Sequence, residues 1–371
     1  MRARALARVD LGAIERNCRL LRSRLRRGAE VCAVVKADGY GHGAVWAAKA
    51  ALEGGASWLA VATADEAADL RRHGIAGRIL VMGALTFEET RTAIEADADL
   101  VAWSDGFVAY VAEHAVRGAR PPRLHVKLDT GMGRLGTKDP HEAHAVADAV
   151  AADARLELAG VMTHFATADQ EGDDHFAAQL ARFAAFAGEL KGRHPNVVAH
   201  AANSAAVFRD PASHFDMARC GIAIYGLDPF GRDPAKRGLE PALALESWLA
   251  AVKRFEPGES AGYGRTWRAD APTWVGVVPI GYGDGWRRGL SNRAELLVGG
   301  RRRPLVGTIS MDNVTVDLGP EPEARVGDPV VLIGAQGSER ILCEEVAGRL
   351  GTINYEITCG LSPRVRRRHA R

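Results

Sequence analysis

The sequence places a lysine at the end of a short apolar run. Lys36 follows Val31–Val35 and is itself followed by the glycine-rich segment Ala37–Gly43. Partial burial lowers the pKa of an amine, which makes it a better nucleophile toward carbonyl groups and a better proton acceptor. The position therefore indicates Schiff-base chemistry, although a surface lysine that ends a strand fits the same pattern.

Three further apolar runs end in residues that suit a phosphorylated ligand. His164 ends Leu158–His164, Ser204 follows Val197–Ala201, and Arg219 with Gly221 flanks a third run. Helix starts and small residues offer free N–H groups to a phosphate, and Ser204 is expected to cap the next helix. Taken singly, Ser204 is no more than a cap and His164 a core histidine. Together with Lys36 they indicate a phosphorylated carbonyl cofactor.

One motif points to a different cofactor. The segment Gly131–Gly136 spells G-x-G-x-x-G, the dinucleotide fingerprint, after a candidate strand. However, it lies in the middle of the array of strands rather than in a first βαβ unit, and Pro140 follows soon after. We therefore disfavour an NAD dehydrogenase. The five cysteines form no C-x-x-C pair, so neither a metal site nor a disulfide framework is expected.

Around these residues, short apolar runs alternate along the sequence with amphipathic, alanine-rich stretches. Because parallel strands need crossover helices, eight such units predict an α/β fold with a (β/α)8 TIM-like barrel, and a doubly wound open sheet is the alternative. The predicted strands are Val31–Lys36, Trp58–Thr63, Ile79–Gly83, Leu100–Trp103, Leu124–Leu128, Leu158–His164, Val197–Ala201 and Cys220–Tyr225. The predicted helices are Leu11–Arg27, Ala44–Glu53, Ala64–His73, Phe87–Ala96, Gly106–Val116, Pro140–Ala151 and Asp174–Lys191.

After about Gly226 the pattern changes to strands joined by turn-like Pro-Gly, Gly-Gly and Gly-Asp pairs, with Asp228–Pro241 as a linker. This predicts a mainly β C-terminal domain with one helix, Cys343–Leu350. Its predicted strands are Trp248–Phe255, Trp274–Ile280, Ala294–Val298, Val314–Asp317 and Pro329–Ile333.

The composition is that of a soluble globular enzyme. The net charge of +2 and the 25% of charged residues do not suggest nucleic acid or a membrane surface as a partner. The odd number of scattered cysteines and the lack of an apolar signal segment favour a reducing, cytoplasmic location. The basic run Arg364–Arg368 is expected to be a solvated tail.

Longer motifs give the sequence a family resemblance. The segments resemble alanine racemases, fold-type III pyridoxal-phosphate enzymes, in the same order and over nearly the whole chain. They are Ala33–Gly43, Lys127–Gly136, His164, Asn203-Ser204, Arg219–Ile222, Ala261–Gly264, Gly281–Gly285, Ser310–Asp312 and Asn354–Glu356.

The resemblance implies an enzyme that interconverts L-alanine and D-alanine with pyridoxal 5'-phosphate (PLP) and supplies D-alanine for peptidoglycan. It implies a head-to-tail homodimer with active sites shared across the interface. Each chain would have a first strand at 1–9 that packs with the β domain, a PLP-binding barrel at 10–235 and a β domain at 236–371. Lys36 would be the base on one face of the substrate α-carbon, and Tyr263 of the partner subunit the base on the other.

The resemblance also assigns the remaining site residues. Arg219 would face the pyridine nitrogen, with a structural ion pair to Asp216 as the alternative, and His164 would lie beside Tyr263. Arg134 would bind the substrate carboxylate, oriented by Lys127 if that lysine is carbamylated. The substrate pocket would be completed by Met311 and Tyr282. The other cofactor-binding residues would be Tyr40, Asn203, Ser204, Gly221, Ile222 and Tyr355.

Three alternatives stay open besides the dehydrogenase. One is a PLP-dependent amino-acid racemase of broader specificity, and another is a related barrel decarboxylase. The third is a non-enzymatic cofactor-binding protein. The last two usually lack a motif like the one around Tyr263, which disfavours them.

Overall fold

In the computed structural model, which describes residues 3–115, 120–321 and 323–371, the chain forms two compact units. One contains Ile14–Tyr40 and Ala44–Ile224. The other contains the N-terminal residues up to Ala13, Gly41–Gly43 and Tyr225–Arg371. The predicted division into 1–9, 10–235 and 236–371 stays a prediction. Within the described residues, no helix has both the length and the apolar character needed to cross a membrane.

The first unit is built on eight parallel strands that form a nearly closed barrel, as predicted. The strands are β2 (Glu30–Val34), β3 (Trp58–Val61), β4 (Arg78–Val81), β5 (Asp99–Ala102), β6 (Arg123–Lys127), β7 (Glu157–Met162), β8 (Val198–His200) and β9 (Met217–Cys220). They pair in the order β8-β7-β6-β5-β4-β3-β2-β9. The N–H groups of Asp216 and Arg219 donate to the carbonyls of Ala199 and Ala202 and so join the two ends. The open-sheet alternative is therefore wrong.

Helices follow the strands. Their alanine-rich faces pack on the barrel, and polar residues cap several of their N-terminal ends. Thr63 with Glu66, and Thr86 with Glu89, form capping boxes that satisfy N–H groups at two of these starts. The elements of this unit are α1 (Leu11–Arg24), α2 (Lys36–Tyr40), α3 (Ala44–Glu53), α4 (Ala64–Arg72), α5 (Phe87–Glu95), α6 (Asp105–Glu113), α7 (Pro140–Ala152), α8 (His175–Arg193) and α9 (Ser204–Arg209). Val116, the predicted end of the helix at α6, lies outside the described residues.

Several predicted strand boundaries in the barrel differ from the structure, and two of these differences lie at the candidate site. The eighth strand is Met217–Cys220 rather than Cys220–Tyr225, because residues Ile222–Tyr225 form a 3-10 turn. The first strand ends at Val34, and Val35 adds one more bond, from its N–H to the carbonyl of Ala60. Lys36 thus begins the next element instead of ending the strand.

The second unit is built on a ten-stranded sheet with the order β11-β14-β17-β16-β15-β18-β10-β1-β20 and β19 on β18. In β10 and β17 buried residues alternate with half-buried ones, which is the pattern of a sheet with one covered face. The strands are β1 (Leu6–Asp10), β10 (Leu243–Trp248), β11 (Ala251–Phe255), β14 (Thr273–Val278), β15 (Glu295–Val298), β16 (Arg301–Val306), β17 (Val314–Gly319), β18 (Pro329–Gln336), β19 (Glu339–Ile341) and β20 (Arg366–Ala370). The hairpin β12 (Ser260–Ala261) and β13 (Trp267–Arg268) and the helices α10 (Cys343–Leu350) and α11 (Asn354–Cys359) complete it.

Two predictions for the second unit are corrected. The strand predicted at Trp248–Phe255 is two strands, because the chain turns at Leu249 and Ala250 between β10 and β11. The basic run expected to be a solvated tail enters β20, which pairs in parallel with β1 and places Arg366 beside Leu6. Backbone pairing thus fixes a segment whose composition alone suggests solvent.

Candidate active site

Lys36 stands at the start of a strained turn at the carboxyl end of β2. Ala37, Asp38 and Tyr40 have φ between 51° and 53°, in the left-handed region that non-glycine residues avoid. The N–H of Ala37 donates to Glu66 Oε1 at 2.6 Å, and the N–H of Gly39 donates to the carbonyl of Val35 at 2.9 Å. Such strain persists only where the surroundings impose it, and it is common at functional sites.

A second group of predicted site residues meets where β8 and β9 end. Asn203, not Ser204, caps α9, because its Oδ1 accepts the N–H of Ala206 at 3.0 Å. The Ser204 hydroxyl oxygen instead accepts the N–H groups of Gly221 at 3.0 Å and Ala223 at 3.3 Å. That hydroxyl keeps its own hydrogen to donate to an anion.

Gly221 also meets the turn that carries Lys36. A Cβ at Gly221 would lie 2.5 Å from Tyr40 Oη, so no larger residue fits without displacing the tyrosine. Ile222 begins the 3-10 turn next to it, where N–H groups have no partner inside the turn. Tyr40 and Ser204 therefore bring hydroxyl groups close to Gly221 and to the start of the turn at Ile222.

Cationic residues converge at the same end of the barrel. Lys127 ends β6 and is buried, and Arg219 in β9 is buried as well. Burial, together with the charges of Arg219 and Arg134, lowers the pKa of Lys127 from 10.5 to about 8. The charge of Lys36 acts in the same direction. Burial and the neighbouring positive charges thus disfavour the charged form of Lys127.

Arg219 is held by a set of acceptors rather than by a counter-ion. Its Nη2 donates to the carbonyls of Thr163 at 2.7 Å and Ala201 at 3.1 Å, and its Nη1 to the carbonyl of His200 at 3.0 Å. Asp216 pairs instead with Lys191 at 2.6 Å. The alternative of an Arg219–Asp216 ion pair is therefore wrong. Burial lowers the pKa of Arg219 to about 10, which leaves it charged at neutral pH.

Arg219 is also the end of a buried hydrogen-bond chain. Its Nη1 donates to His200 Nδ1 at 2.7 Å, so His200 must carry its proton on Nε2. That nitrogen lies 2.8 Å from His125 Nδ1, and His125 Nε2 lies 3.0 Å from Asp99 Oδ2. Each donor direction follows from the one before, and the chain ends on a carboxylate. Gly160 leaves room for it, since a Cβ there would lie 2.1 Å from His125 Nδ1.

Sequence reasoning missed this chain. Although burial opposes ionisation, the hydrogen bond from His125 and the charges of Arg123 and Arg78 lower the pKa of Asp99. Burial and then the charge of Arg219 keep the pKa of His200 far below its ordinary value, so the imidazole is neutral. The available signal was a histidine inside the apolar strand Arg123–Lys127, since a buried polar side chain needs a partner.

His164 is neutral too. Burial and the charges of Arg219 and Arg134 hold its pKa well below the ordinary value, and its Nδ1 lies 3.3 Å from Arg219 Nη2. The permanent positive charge here therefore belongs to Arg219, and His164 acts as a hydrogen-bonding group.

The dinucleotide-like glycines serve an internal anion. The N–H groups of Gly131, Met132 and Gly133 donate to the Asp129 carboxylate at 2.7–3.1 Å. Burial opposes ionisation, but these backbone donors lower the pKa of Asp129. The groups that would bind a dinucleotide phosphate are already occupied, which removes the basis for an NAD site.

In the second unit, three predicted site residues share one exposed face. Tyr263 is 71% exposed, Met311 51% and Tyr282 41%, which is unusual for large apolar or aromatic side chains. The N–H of Tyr282 donates to the carbonyl of Ser310, next to Met311. A cavity of about 400 Å³ is lined by Tyr263, Thr308, Ser310 and Asn313 among others.

Tyr355 is carried by α11, which two polar residues tie down. Asn354, the first residue of that helix, donates to the carbonyl of Asp228 at 2.8 Å and to Glu344 Oε1 at 2.9 Å. The N–H of Asp228 donates to the same carboxylate oxygen at 2.9 Å. Asn354, Asp228 and Glu344 are all buried, so the start of α11 is fixed.

Known proteins share this architecture. The family model for the alanine racemase N-terminal domain matches residues 9–229, and the model for the C-terminal domain matches residues 242–369. An alanine racemase of Symbiobacterium thermophilum is 43% identical over 364 residues, which cover 97% of this chain and 96% of the relative. One of Geobacillus stearothermophilus is 44% identical, covering 98% of this chain and 94% of the relative.

Solved structures agree with these matches. The crystal structure of alanine racemase from a D-cycloserine-producing Streptomyces lavendulae superimposes with a TM-score of 0.93 at 38% identity, covering 100% of this chain and 98% of that one. The Bacillus anthracis alanine racemase with bound L-Ala-P gives a TM-score of 0.91 at 38% identity, covering 100% of this chain and 96% of that one.

Proposed function

This chain belongs to the alanine racemase family of isomerases, and from that premise we propose that it interconverts L-alanine and D-alanine using PLP bound to Lys36. The observation that carries the proposal is the convergence of Lys36, Lys127 and Arg219 with the hydroxyl groups of Tyr40 and Ser204 at one end of the barrel. This is the end at which barrel enzymes place their active sites.

The side chains present fit PLP. The hydroxyl groups of Tyr40 and Ser204 and the N–H of Ile222 would suit a phosphate, with Gly221 and Asn203 beside them. Arg219 would face the pyridine nitrogen and Tyr355 would bind the phosphate. PLP, when bound, supplies an electron sink for the carbanion at the substrate α-carbon. Because Arg219 stays charged at neutral pH, it would disfavour a proton on the ring nitrogen of bound PLP and so limit that sink.

Racemisation needs a base on each face of the α-carbon, because a proton leaves one face and returns to the other. We assign Lys36 to one face and Tyr263 of the partner subunit to the other. The exposure of Tyr263 supports a role in a second chain. A tyrosine acts as a base only as a phenolate, which positive charge stabilises. His164, hydrogen-bonded to charged Arg219, would be the group through which that charge acts.

Arg134, Met311 and Tyr282 would bind the substrate carboxylate and define the small pocket. A lowered pKa gives Lys127 an uncharged fraction of roughly one tenth at pH 7, far above that of an ordinary lysine. An uncharged amine is the form that reacts with CO2. Carbamylation of Lys127 would replace repulsion of Arg134 by attraction.

The proposal extends to the assembly and its role. Tyr263, Tyr282 and Met311 on one exposed face support a homodimer with shared sites. Such an enzyme would work in the cytoplasm and supply D-alanine for peptidoglycan.

Exchange of the α-proton in deuterated solvent tests the function directly. With PLP present, L-alanine and D-alanine should each lose the α-proton and convert to the other enantiomer. A panel of larger amino acids separates an alanine racemase from one of broader specificity. Absence of exchange and racemisation with both enantiomers would contradict the proposal.

A further inference from the structure

The turn that carries Lys36 needs support beyond its own hydrogen bonds. A left-handed conformation is unfavourable for a non-glycine residue, and Ala37, Asp38 and Tyr40 all adopt it. On one side, the Asp38 carboxylate accepts the N–H of Ala44 at 3.0 Å. On the other side, the chain continues into Gly41–Gly43, which belong to the second unit.

The C-terminal strand β20 holds those three residues. Arg367 Nε donates to the carbonyl of Gly41 at 3.2 Å, and His369 Nε2 donates to the carbonyl of His42 at 2.7 Å. The buried His42 ring also stacks on Tyr225 with ring centres 4.4 Å apart. Since a carbonyl only accepts, His369 must carry a proton on Nε2.

The approach is close enough to exclude a side chain. A Cβ at Gly41 would lie 2.2 Å from the carbonyl oxygen of Thr358 in α11, and Gly41 has φ of +82°. Arg367 further donates to the carbonyls of Leu361, Ser362 and Val365, at 2.6–2.8 Å. One guanidinium thus links Gly41 to the segment between α11 and β20.

We propose that Arg367 and His369 are positioning residues that hold Gly41–Gly43 and so maintain the strained turn from Lys36 to Tyr40. Through it they set how long the cofactor stays bound. The cofactor part of this inference rests on the proposed function. The part that concerns the turn itself does not.

The alternation of β20 provides matched controls. Arg367 and His369 are half-buried, whereas Arg366 and Arg368 are exposed on the same strand. Replacing Arg368 removes a charge without touching Gly41 or His42. If the substitutions only weaken β20, replacing a residue on either face of the strand should have the same effect. If positioning is lost, only replacement of Arg367 or His369 should have an effect.

The first test is amide hydrogen exchange of the cofactor-free full chain. His369→Phe keeps a ring and removes the donor. We expect the amides of Gly39 and Ala44 to exchange roughly 2- to 12-fold faster, the factor for one net hydrogen bond of about 0.5–1.5 kcal/mol. Arg368→Ala should leave their exchange unchanged. His369→Gln, which retains an N–H donor, should restore most of the protection.

The second test is PLP release from the loaded protein, followed by loss of its visible absorption in the presence of a trap. We expect release to be faster in His369→Phe by a similar factor, and unchanged in Arg368→Ala. If His369→Phe does not fold, Arg367→Lys, which removes the Nε donor, is compared with Arg366→Lys by both methods.

Equal exchange at Gly39 and Ala44 in His369→Phe and Arg368→Ala would overturn the inference. So would equal loss of protection in His369→Phe and His369→Gln, because the donor would then be irrelevant. A wild-type chain that binds no PLP would instead contradict the proposed function, and the exchange comparison would still decide the role of His369.

Discussion

Replacing Lys127 by methionine should stabilise the protein at neutral pH. Lys127 is buried at the end of β6, and burial with the charges of Arg219 and Arg134 lowers its pKa from 10.5 to about 8. At about 1.36 kcal/mol for each factor of ten, this fall corresponds to about 3 kcal/mol of folding free energy lost when the amine is charged. Methionine has a similar length and no charge, so Lys127→Met should recover about that amount.

The pH dependence of the unfolding free energy separates this charge effect from a packing effect. Between pH 8 and 10.5 the unfolded chain binds the Lys127 proton and the folded chain does not, so wild-type stability rises with pH across this window. Below pH 8 Lys127 is charged in both states, and the full cost of burying its charge is present. The advantage of Lys127→Met should therefore be about 3 kcal/mol at pH 7 and shrink toward zero as the pH approaches 10.5. Better packing of methionine would give an advantage that does not change with pH.

The assay is urea unfolding in CO2-free buffer from pH 7 to 10.5. Lys138→Met is the control, because Lys138 is exposed in the same segment after β6. Adding bicarbonate should stabilise the wild type and not Lys127→Met if the amine is carbamylated. If Lys127→Met is no more stabilising than Lys138→Met at pH 7, or if its advantage is independent of pH, the charge of Lys127 does not destabilise the fold.

Three further predictions concern the second base and two buried carboxyl groups. Tyr263→Phe and Lys36→Ala should each abolish racemisation, and mixed dimers should recover part of it. No recovery after verified subunit exchange would exclude a shared site. Asp99→Asn should lower the unfolding free energy by about 3–5 kcal/mol at pH 7, because two arginines lose a buried partner. The difference should shrink as the pH falls from the ordinary aspartate pKa of 3.8 to the lowered pKa of the folded protein. Burial raises the pKa of Glu344, so the stabilising contribution of its protonated carboxyl is lost as the pH rises through that pKa. Glu344→Gln should therefore be at least as stable as wild type at pH 7. Glu344→Ala should lose about 1–3 kcal/mol of unfolding free energy in thermal or urea unfolding, because the Asp228 N–H loses its acceptor.

The barrel was predictable because its strands are buried on both faces and appear as continuous apolar runs. Seven of the eight lie where the runs predict them, including β3, β4 and β5. The eighth was misplaced because the 3-10 turn Ile222–Tyr225 is as apolar as the strand before it. The basic strand β20 was missed because its stability comes from pairing with β1, more than 350 residues earlier in the chain.

The reactive residues in or just after the apolar runs could be identified from the sequence, because a run and the residues next to it are local features. The sequence singled out Lys36, His164, Ser204 and Arg219 in this way. What those residues contact depends on the folded structure. The chain from Arg219 through His200 and His125 to Asp99 joins four strands, and the pKa of Lys127 depends on arginines elsewhere in the chain. Hydrogen bonds and electrostatic interactions act over a few ångströms in space, and distance along the sequence does not encode them.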